Sequence, residues 1–341
     1  MERADIVIVG AGPIGMACGI AAKKKRVSCI ILEKGVLVNS LFHFPTNMTF
    51  FSTSNLLEIG DVPFIAHSDK PTRREALEYY RRVWQSWDLD IRLYEPALSI
   101  DLKNKGFIVR SEKKTFHSKY VILATGFFDK PVKMNVPGED LPKVRHYYDE
   151  AHPYIGQKVL VVGGANSACD VALETFIKGS DVTMVIREEK IYKGVKYWIR
   201  PNIENRINEG SIKAYFNSYL KEILPDSVVI QSPGKEIILK NDFVLAMTGY
   251  EPDYTFLSKI GVKILENMFK TPELNENTLE TNVKNMYLAG VVCGGLETNK
   301  YFIENSRVHA DIIVKDIKRK ERLEAKKTKM QKADEKGPSG K

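Results

Sequence analysis

The sequence predicts an α/β protein built from two Rossmann-like dinucleotide-binding domains. Three observations predict it. An apolar run at Ile6–Val9 leads into Gly10, Gly12 and Gly15, the spacing G-x-G-x-x-G. A second run, Val159–Val162, leads into Gly163 and Gly164 and then a helical pattern. Three further apolar runs also end in glycine, at Gly126, Gly249 and Gly290. In doubly wound sheets such strand ends face one ligand crevice.

In the first unit, Ile6–Val9 suits a strand buried on both faces. Gly10 permits the tight turn, Gly12 lets backbone approach a pyrophosphate, and Gly15 lets helix and strand pack closely. The helix N-terminus then offers N–H groups and a positive dipole end to phosphate. The next run, Val27–Leu32, ends in Glu33, eighteen residues after Gly15. That is close to the ~20 expected for the acid that binds a ribose. Residues 34–63 lack helical period and carry many aromatics, as a segment wrapping a ligand would. Pro71–Trp87 reads as a helix, with Leu77, Tyr80, Val83, Trp84 and Trp87 as its core face. Residues 91–119 alternate and read as strands.

Tyr120–Gly126 is a buried strand ending in A-T-G. The second unit reads G-x-A-x-x-A at Gly163, Ala165 and Ala168, with Gly164 expected to keep the turn flexible. Its next strand, Asp181–Ile186, ends in Arg187, followed by Lys190, Lys193 and Lys196. A cation there suits the 2′-phosphate of NADP, where an acid would repel it. An acid closing the first unit and a cation closing the second imply FAD in the first and NADPH in the second. The cofactor candidates are Gly10, Gly12, Pro13, Ile14, Gly15, Glu33, Lys34, Thr125, Gly126 and Gly290 for the flavin. For the nicotinamide nucleotide they are Gly163, Gly164, Asn166, Ser167 and Arg187. The expected domains are 1–119 with 250–315 for FAD, and 120–249 for NADPH.

The 341 residues carry a net charge of +8, of which residues 315–341 hold eleven cations against five acids. That basic end is expected to be a fraying helix running into a disordered tail over 316–341. It has no aromatic to stack on a base, and no nucleic-acid partner is expected. No apolar run approaches the ~18 residues of a membrane span. The chain opens directly on a strand, so a cytoplasmic protein is expected. The four cysteines, at 18, 29, 169 and 293, include no C-x-x-C, and no metal site is expected. Cys293 and Cys18 are the candidate redox thiols, since each falls near a nucleotide-binding turn. His43, His146, His152 and His309 are candidate proton donors.

Two dinucleotide units, the A-T-G turn and a late Y-L-A-G strand resemble the two-dinucleotide-binding flavoproteins of the thioredoxin reductase type. Within them the chain is similar to the bacillithiol disulfide reductase (bacilliredoxin reductase) family. The resemblance is carried by Phe44–Thr46, Thr49–Ser52, Ile59–Phe64, Leu141–Lys143, His146–Tyr148, Glu150–Tyr154, Gly249–Tyr254 and Phe302–Asn305. It covers residues 4 to 315. It implies an FAD-dependent NADPH oxidoreductase and a homo-oligomer. The implied acceptor is a small bacilliredoxin-like protein or a low-molecular-weight disulfide. It also implies a helix opening at Thr298 or Asn299, whose N-terminal dipole would favour negative charge on the reduced flavin. Three positions depart from the patterns of these groups. The interval Val144–Asp149 lacks the C-x-x-C of thioredoxin reductases. Ile14 stands where many bacilliredoxin reductases have cysteine, and Gly290 is followed by Val291 where thioredoxin reductases have Asp. The first two favour chemistry centred on the flavin. A ferredoxin or flavodoxin–NADP reductase of the same fold is the alternative. A flavin monooxygenase ranks behind it, because F-x-G-x-x-x-H is absent near His146 and His152. A non-catalytic nucleotide sensor is the reading from a different class.

Overall fold

The computed structural model describes residues 1–103 and 106–334. The chain forms two compact units: Met1–Phe42 with Ser52–Asp129 and the chain from Glu251 onward, and His43–Phe51 with Lys130–Tyr250.

The first unit is organised on β1 (Glu2–Val9), which runs into α1 (Pro13–Lys24) and β2 (Cys29–Leu32). Helix α2 (Arg73–Trp87) follows, then β3 (Ile91–Arg92), β4 (Ala97–Lys103), β5 (Gly106–Ser111) and β6 (Thr115–Leu123). The sheet order is β3-β2-β1-β6-β5-β4, and the late strand Met286–Leu288 also pairs with β6. β1 is parallel to β2 and β6, whereas β4, β5 and β6 form an antiparallel meander. The nine residues of β6 serve both patterns. Its first half carries the meander, while Val121–Leu123 pair in parallel with Met286–Leu288. Val7, Val9, Leu32, Val121, Leu123 and Leu288 are buried in one core. Helix α1 is buried from Pro13 to Ala22. Its Gly and Ala residues let it lie between the sheet and the C-terminal helix His309–Asp334. Helix α2 starts at a capping box, with Thr72 accepting from the Glu75 N–H and Glu75 accepting from the Thr72 N–H.

The second unit has a five-stranded parallel sheet. Its core is β7 (Lys158–Val162), followed by α3 (Asn166–Ile177) and β8 (Asp181–Val185), with β9 (Phe243–Ala246) on the other side of β7. Lys213–Tyr215 and Val144–Arg145 are its edges, and Tyr219–Lys240 adds a separate three-stranded antiparallel sheet.

Three expectations need correction. Tyr120–Leu123 belongs to the first unit, because these residues pair with Ile6–Val9 of β1. The first unit therefore runs on to Asp129. The segment His43–Phe51 groups with the second unit, where the Thr46 N–H donates to the Asp149 carbonyl at 2.9 Å and the Asn47 amide to Glu174 at 2.8 Å. The basic end is ordered helix through Asp334. Buried Ile313, Val314 and Ile317 and the Lys320–Glu280 pair anchor its start, and the exposed stretch from Arg322 to Gln331 continues a helix already nucleated there. Residues 335–341 of the expected tail lie outside the described residues.

Candidate functional site

The first unit's site begins at Gly10. Its φ of +105° is a left-handed value, and a Cβ there would sit 2.5 Å from the Ala124 carbonyl oxygen. Gly15 is tighter still, with a Cβ 1.9 Å from the Gly10 oxygen. Gly12 differs from both: it caps α1, and a Cβ on it would meet nothing within 4 Å. Backbone is thus laid bare at the N-terminus of a helix that has Pro13 in its first turn, no side-chain cap and no acid there. Its first N–H groups are turned toward any anion that approaches.

Glu33 lies beside this turn and is 6% exposed. One carboxylate oxygen accepts from the Ala11 N–H at 2.8 Å, the other from the Gly35 N–H at 3.0 Å. Burial raises its carboxyl above the ordinary value, against the pull of those two N–H groups. Each oxygen keeps lone-pair capacity for the hydroxyls of a ribose. Lys34 pairs with Asp129 at 2.7 Å. Thr125 and Gly126 follow β6; Gly126 has φ +70°, and a Cβ there would meet nothing within 4 Å. Gly290, at φ +85°, lies against Ile14, whose Cγ1 would be 3.2 Å from a Cβ.

Sequence reasoning missed what holds the Gly290 turn. The Gly290 N–H donates to His309 Nδ1 at 3.1 Å. The buried imidazole is pushed down to about 4 and stays neutral, with its other nitrogen carrying the proton. Tyr301 meets the ring edge-on at 5.0 Å. Both Gly290 and His309 stand out in the sequence, but they lie nineteen residues apart and only the fold pairs them.

The expected dipole helix is corrected. No helix opens at Thr298 or Asn299. A four-residue helix, Ile303–Ser306, starts instead where Asn305 accepts from the Phe302 N–H at 2.7 Å, and the long helix begins at His309. Cys293 lies in the one-turn helix Val291–Gly294 and is 5% exposed; burial pushes its thiol up to about 12. Cys18 is fully buried on α1 and is pushed higher still.

The second unit repeats the turn with different packing. Gly163 has φ +126°, and a Cβ there would sit 2.7 Å from the Met247 oxygen. Gly164 is needed for packing, since its Cβ would lie 2.8 Å from Ile186 Cγ2. Ala165 is exposed and caps α3, whose first turn again has no side-chain cap and no acid. Ser167 is exposed in that turn. Asn166 is a clamp: it accepts from the Lys196 N–H at 2.9 Å and donates to the Gly194 carbonyl at 3.2 Å. The Tyr192 N–H reaches the Gly164 oxygen at 3.0 Å, and Lys196 pairs with Asp170 at 2.8 Å. The loop after β8 is thereby fastened to the turn. Arg187 stands at its start with its side chain 83% exposed, 3.8 Å from Glu188. Lys190 and Lys193 are also exposed, whereas Lys196 is taken up by Asp170. In the same unit His146 Nε2 lies 3.3 Å from the Glu139 carboxylate, and burial lowers its pKa. Among the described residues, no three His, Cys, Asp or Glu side chains are grouped to hold a metal, and no helix is long and apolar enough to cross a membrane.

Two glycine turns, each feeding an uncapped helix, define a protein with two dinucleotide-binding units. The pattern of the pyridine nucleotide-disulphide oxidoreductase family matches residues 7–290. The chain is 43% identical over 323 residues to bacilliredoxin reductase Bdr of Bacillus subtilis strain 168, covering 94% of this chain and 99% of that one. Its structure superposes on bacillithiol disulfide reductase Bdr from Staphylococcus aureus with a TM-score of 0.92 at 40% identity, covering 94% and 99%. The thioredoxin reductase of T. acidophilum shares the fold, with a TM-score of 0.73 at 22% identity over 92% and 97%. The chain belongs to the bacilliredoxin reductase family of pyridine nucleotide-disulphide oxidoreductases, and it is an oxidoreductase of thioredoxin-reductase-like fold.

Proposed function

We propose that this chain binds FAD in the first unit, oxidises NADPH bound to the second, and reduces a bacillithiol- or bacilliredoxin-type disulfide. The observation that carries the substrate is 43% identity, over 94% of the chain, to a relative named for that activity. Bound FAD would supply hydride acceptance and two-electron delivery. The balanced reaction takes NADPH, a proton and the disulfide to NADP⁺ and two thiols.

The chain's own residues bind and orient. Glu33 accepts hydrogen bonds from the adenosine ribose, and α1 offsets pyrophosphate charge with its N-terminal N–H groups. Ile14 and the Gly290 turn form an apolar wall, and His309 holds that turn in place. The N-terminus of α3 takes the NADPH pyrophosphate, and Arg187, with Lys190 and Lys193, reads the 2′-phosphate. With Cys18 and Cys293 buried and their thiols pushed up, electrons leave for the acceptor without a cysteine of this chain. A cytoplasmic setting and assembly as a homo-oligomer belong to this reading.

The test is NADPH oxidation by the FAD-loaded protein against oxidised bacillithiol, oxidised bacilliredoxin and ferredoxin. Turnover with the disulfides supports the proposal. Turnover with ferredoxin alone moves the chain to the ferredoxin–NADP reductase reading, with which the absence of C-x-x-C is equally consistent.

A further inference from the structure

We propose that the outer face of the C-terminal helix is a docking stripe for an anionic lipid surface. The helix His309–Asp334 has two unlike sides as far as Glu321, and from Arg322 to Gln331 it is exposed all round. The inner side is tied down: Tyr287 donates to Asp316 at 2.8 Å, Lys320 bonds Glu280 at 2.5 Å, and Lys119 pairs with Glu324. The outer side carries Lys315, Arg319, Arg322, Lys326 and Lys329, all exposed. Their steps are 4, 3, 4 and 3 residues, which keeps them on one helical face. The stripe is about 21 Å long at 1.5 Å per residue.

The acids of this region neutralise only its N-terminal part, where Asp311 shares the face of Lys315 and Asp316 pairs with Arg319. Asp316 faces inward, Glu321 pairs with Lys318 at 2.7 Å, and Glu324 is held by Lys119. Arg319 reaches Asp316 at 2.6 Å yet keeps 61% of its side chain exposed. Among the described residues, no acid lies within ion-pair distance of Arg322, Lys326 or Lys329. A helix dipole favours cations in the last turn only, so it does not account for a row of cations about four turns long.

Two apolar side chains lie along one edge of the stripe. Leu323 and Met330 are 47% and 66% exposed, seven residues apart and therefore on the same face. They add a small apolar contact to a stripe whose attraction for an anionic surface is electrostatic. No aromatic residue occurs between His309 and Asp334, so the stripe has no platform for stacking bases.

The experiment is co-sedimentation of the full-length, FAD-loaded protein with phosphatidylcholine vesicles, with and without phosphatidylglycerol, at low and high salt. Binding is expected only with phosphatidylglycerol, and salt should remove it. At about fivefold per cation, the triple variant R322Q/K326Q/K329Q should bind roughly a hundredfold more weakly. L323S/M330S should also bind more weakly, with its salt dependence kept. Thermal melts and flavin content check that each variant is folded. No binding to phosphatidylglycerol vesicles at low salt overturns the proposal, and so does equal binding by the triple variant. Salt-sensitive binding to duplex DNA without vesicle binding overturns it too, by assigning the stripe to nucleic acid.

Discussion

Glu33→Gln is the most informative single change in the flavin site. The carboxylate accepts from two backbone N–H groups, at 2.8 Å and 3.0 Å, one on each oxygen. Glutamine keeps one acceptor oxygen and turns an NH₂ toward the other donor. One buried N–H is then left unmade, at a cost of about 1–3 kcal/mol to the folded chain. The charge-assisted hydrogen bond to ribose is lost as well, which is about 1.5–3 kcal/mol, or roughly a 10- to 150-fold weaker FAD affinity. Titrating FAD into apoprotein, followed by quenching of flavin fluorescence, measures the second quantity, and thermal melting of the apoprotein measures the first. The pH dependence gives an independent check. Burial raises the Glu33 carboxyl in the folded chain. A raised acid stabilises the fold below its unfolded pKa and loses that contribution as pH rises through the folded value. The apoprotein should therefore show a Glu33-dependent loss of stability on going from acid to neutral pH. FAD, by adding ribose donors to the ionised form, should offset it. If Glu33→Gln binds FAD as tightly as the parent at neutral pH, the ribose role of Glu33 is refuted.

Four further outcomes are expected. Gly15→Ala should lower stability by about 1–3 kcal/mol or more, since its Cβ meets the Gly10 oxygen; Gly12→Ala should melt like the parent apoprotein yet bind FAD poorly, and matching melts for the two would refute the assignment. Arg187→Ala should raise KM for NADPH by about tenfold or more and leave NADH unchanged, as steady-state kinetics with both nucleotides will read. In the native protein, Cys18 and Cys293 should resist alkylation at about pH 8 until the chain is unfolded, as mass spectrometry of labelled peptides would show. His309, lowered to about 4 by burial, should contribute stability present above pH 6.5 and lost as pH falls toward 4, on the order of 3 kcal/mol; a His309→Gln variant should show a flatter acid limb in its melts.

Much of the scaffold is legible in the sequence because its signals are local. Gly10, Gly12, Gly15 and Glu33 sit within one βαβ span, and their spacing follows from the turn they make. Helix α2 announces itself by its apolar period. What sequence does not reveal depends on long-range pairing. Tyr120–Leu123 reads as the start of the second unit, because nothing local says that β1 lies beside it. The motif places Asn166 at the phosphate, whereas its side chain holds the loop at residues 194–196, about thirty residues away. The basic end reads as unstructured from composition. Ile313, Val314 and Ile317 at its start become an anchor only where a core exists to receive them, and the exposed turns beyond Glu321 extend from that anchor.

The double pairing of β6 has a consequence for the order in which the chain can be completed. Val121–Leu123 await Met286–Leu288, which are synthesised 165 residues later. At 5–20 residues per second, that is roughly 8–30 s of translation. For that time an apolar strand edge stands unpaired in the first unit, while the whole of Lys130–Tyr250 emerges as one continuous stretch. The inserted unit has nearly all its own strands by then and can close first. The first unit is finished only when its C-terminal segment arrives. A nascent chain arrested before Met286 would thus present an open sheet edge, which is a template for pairing with another chain.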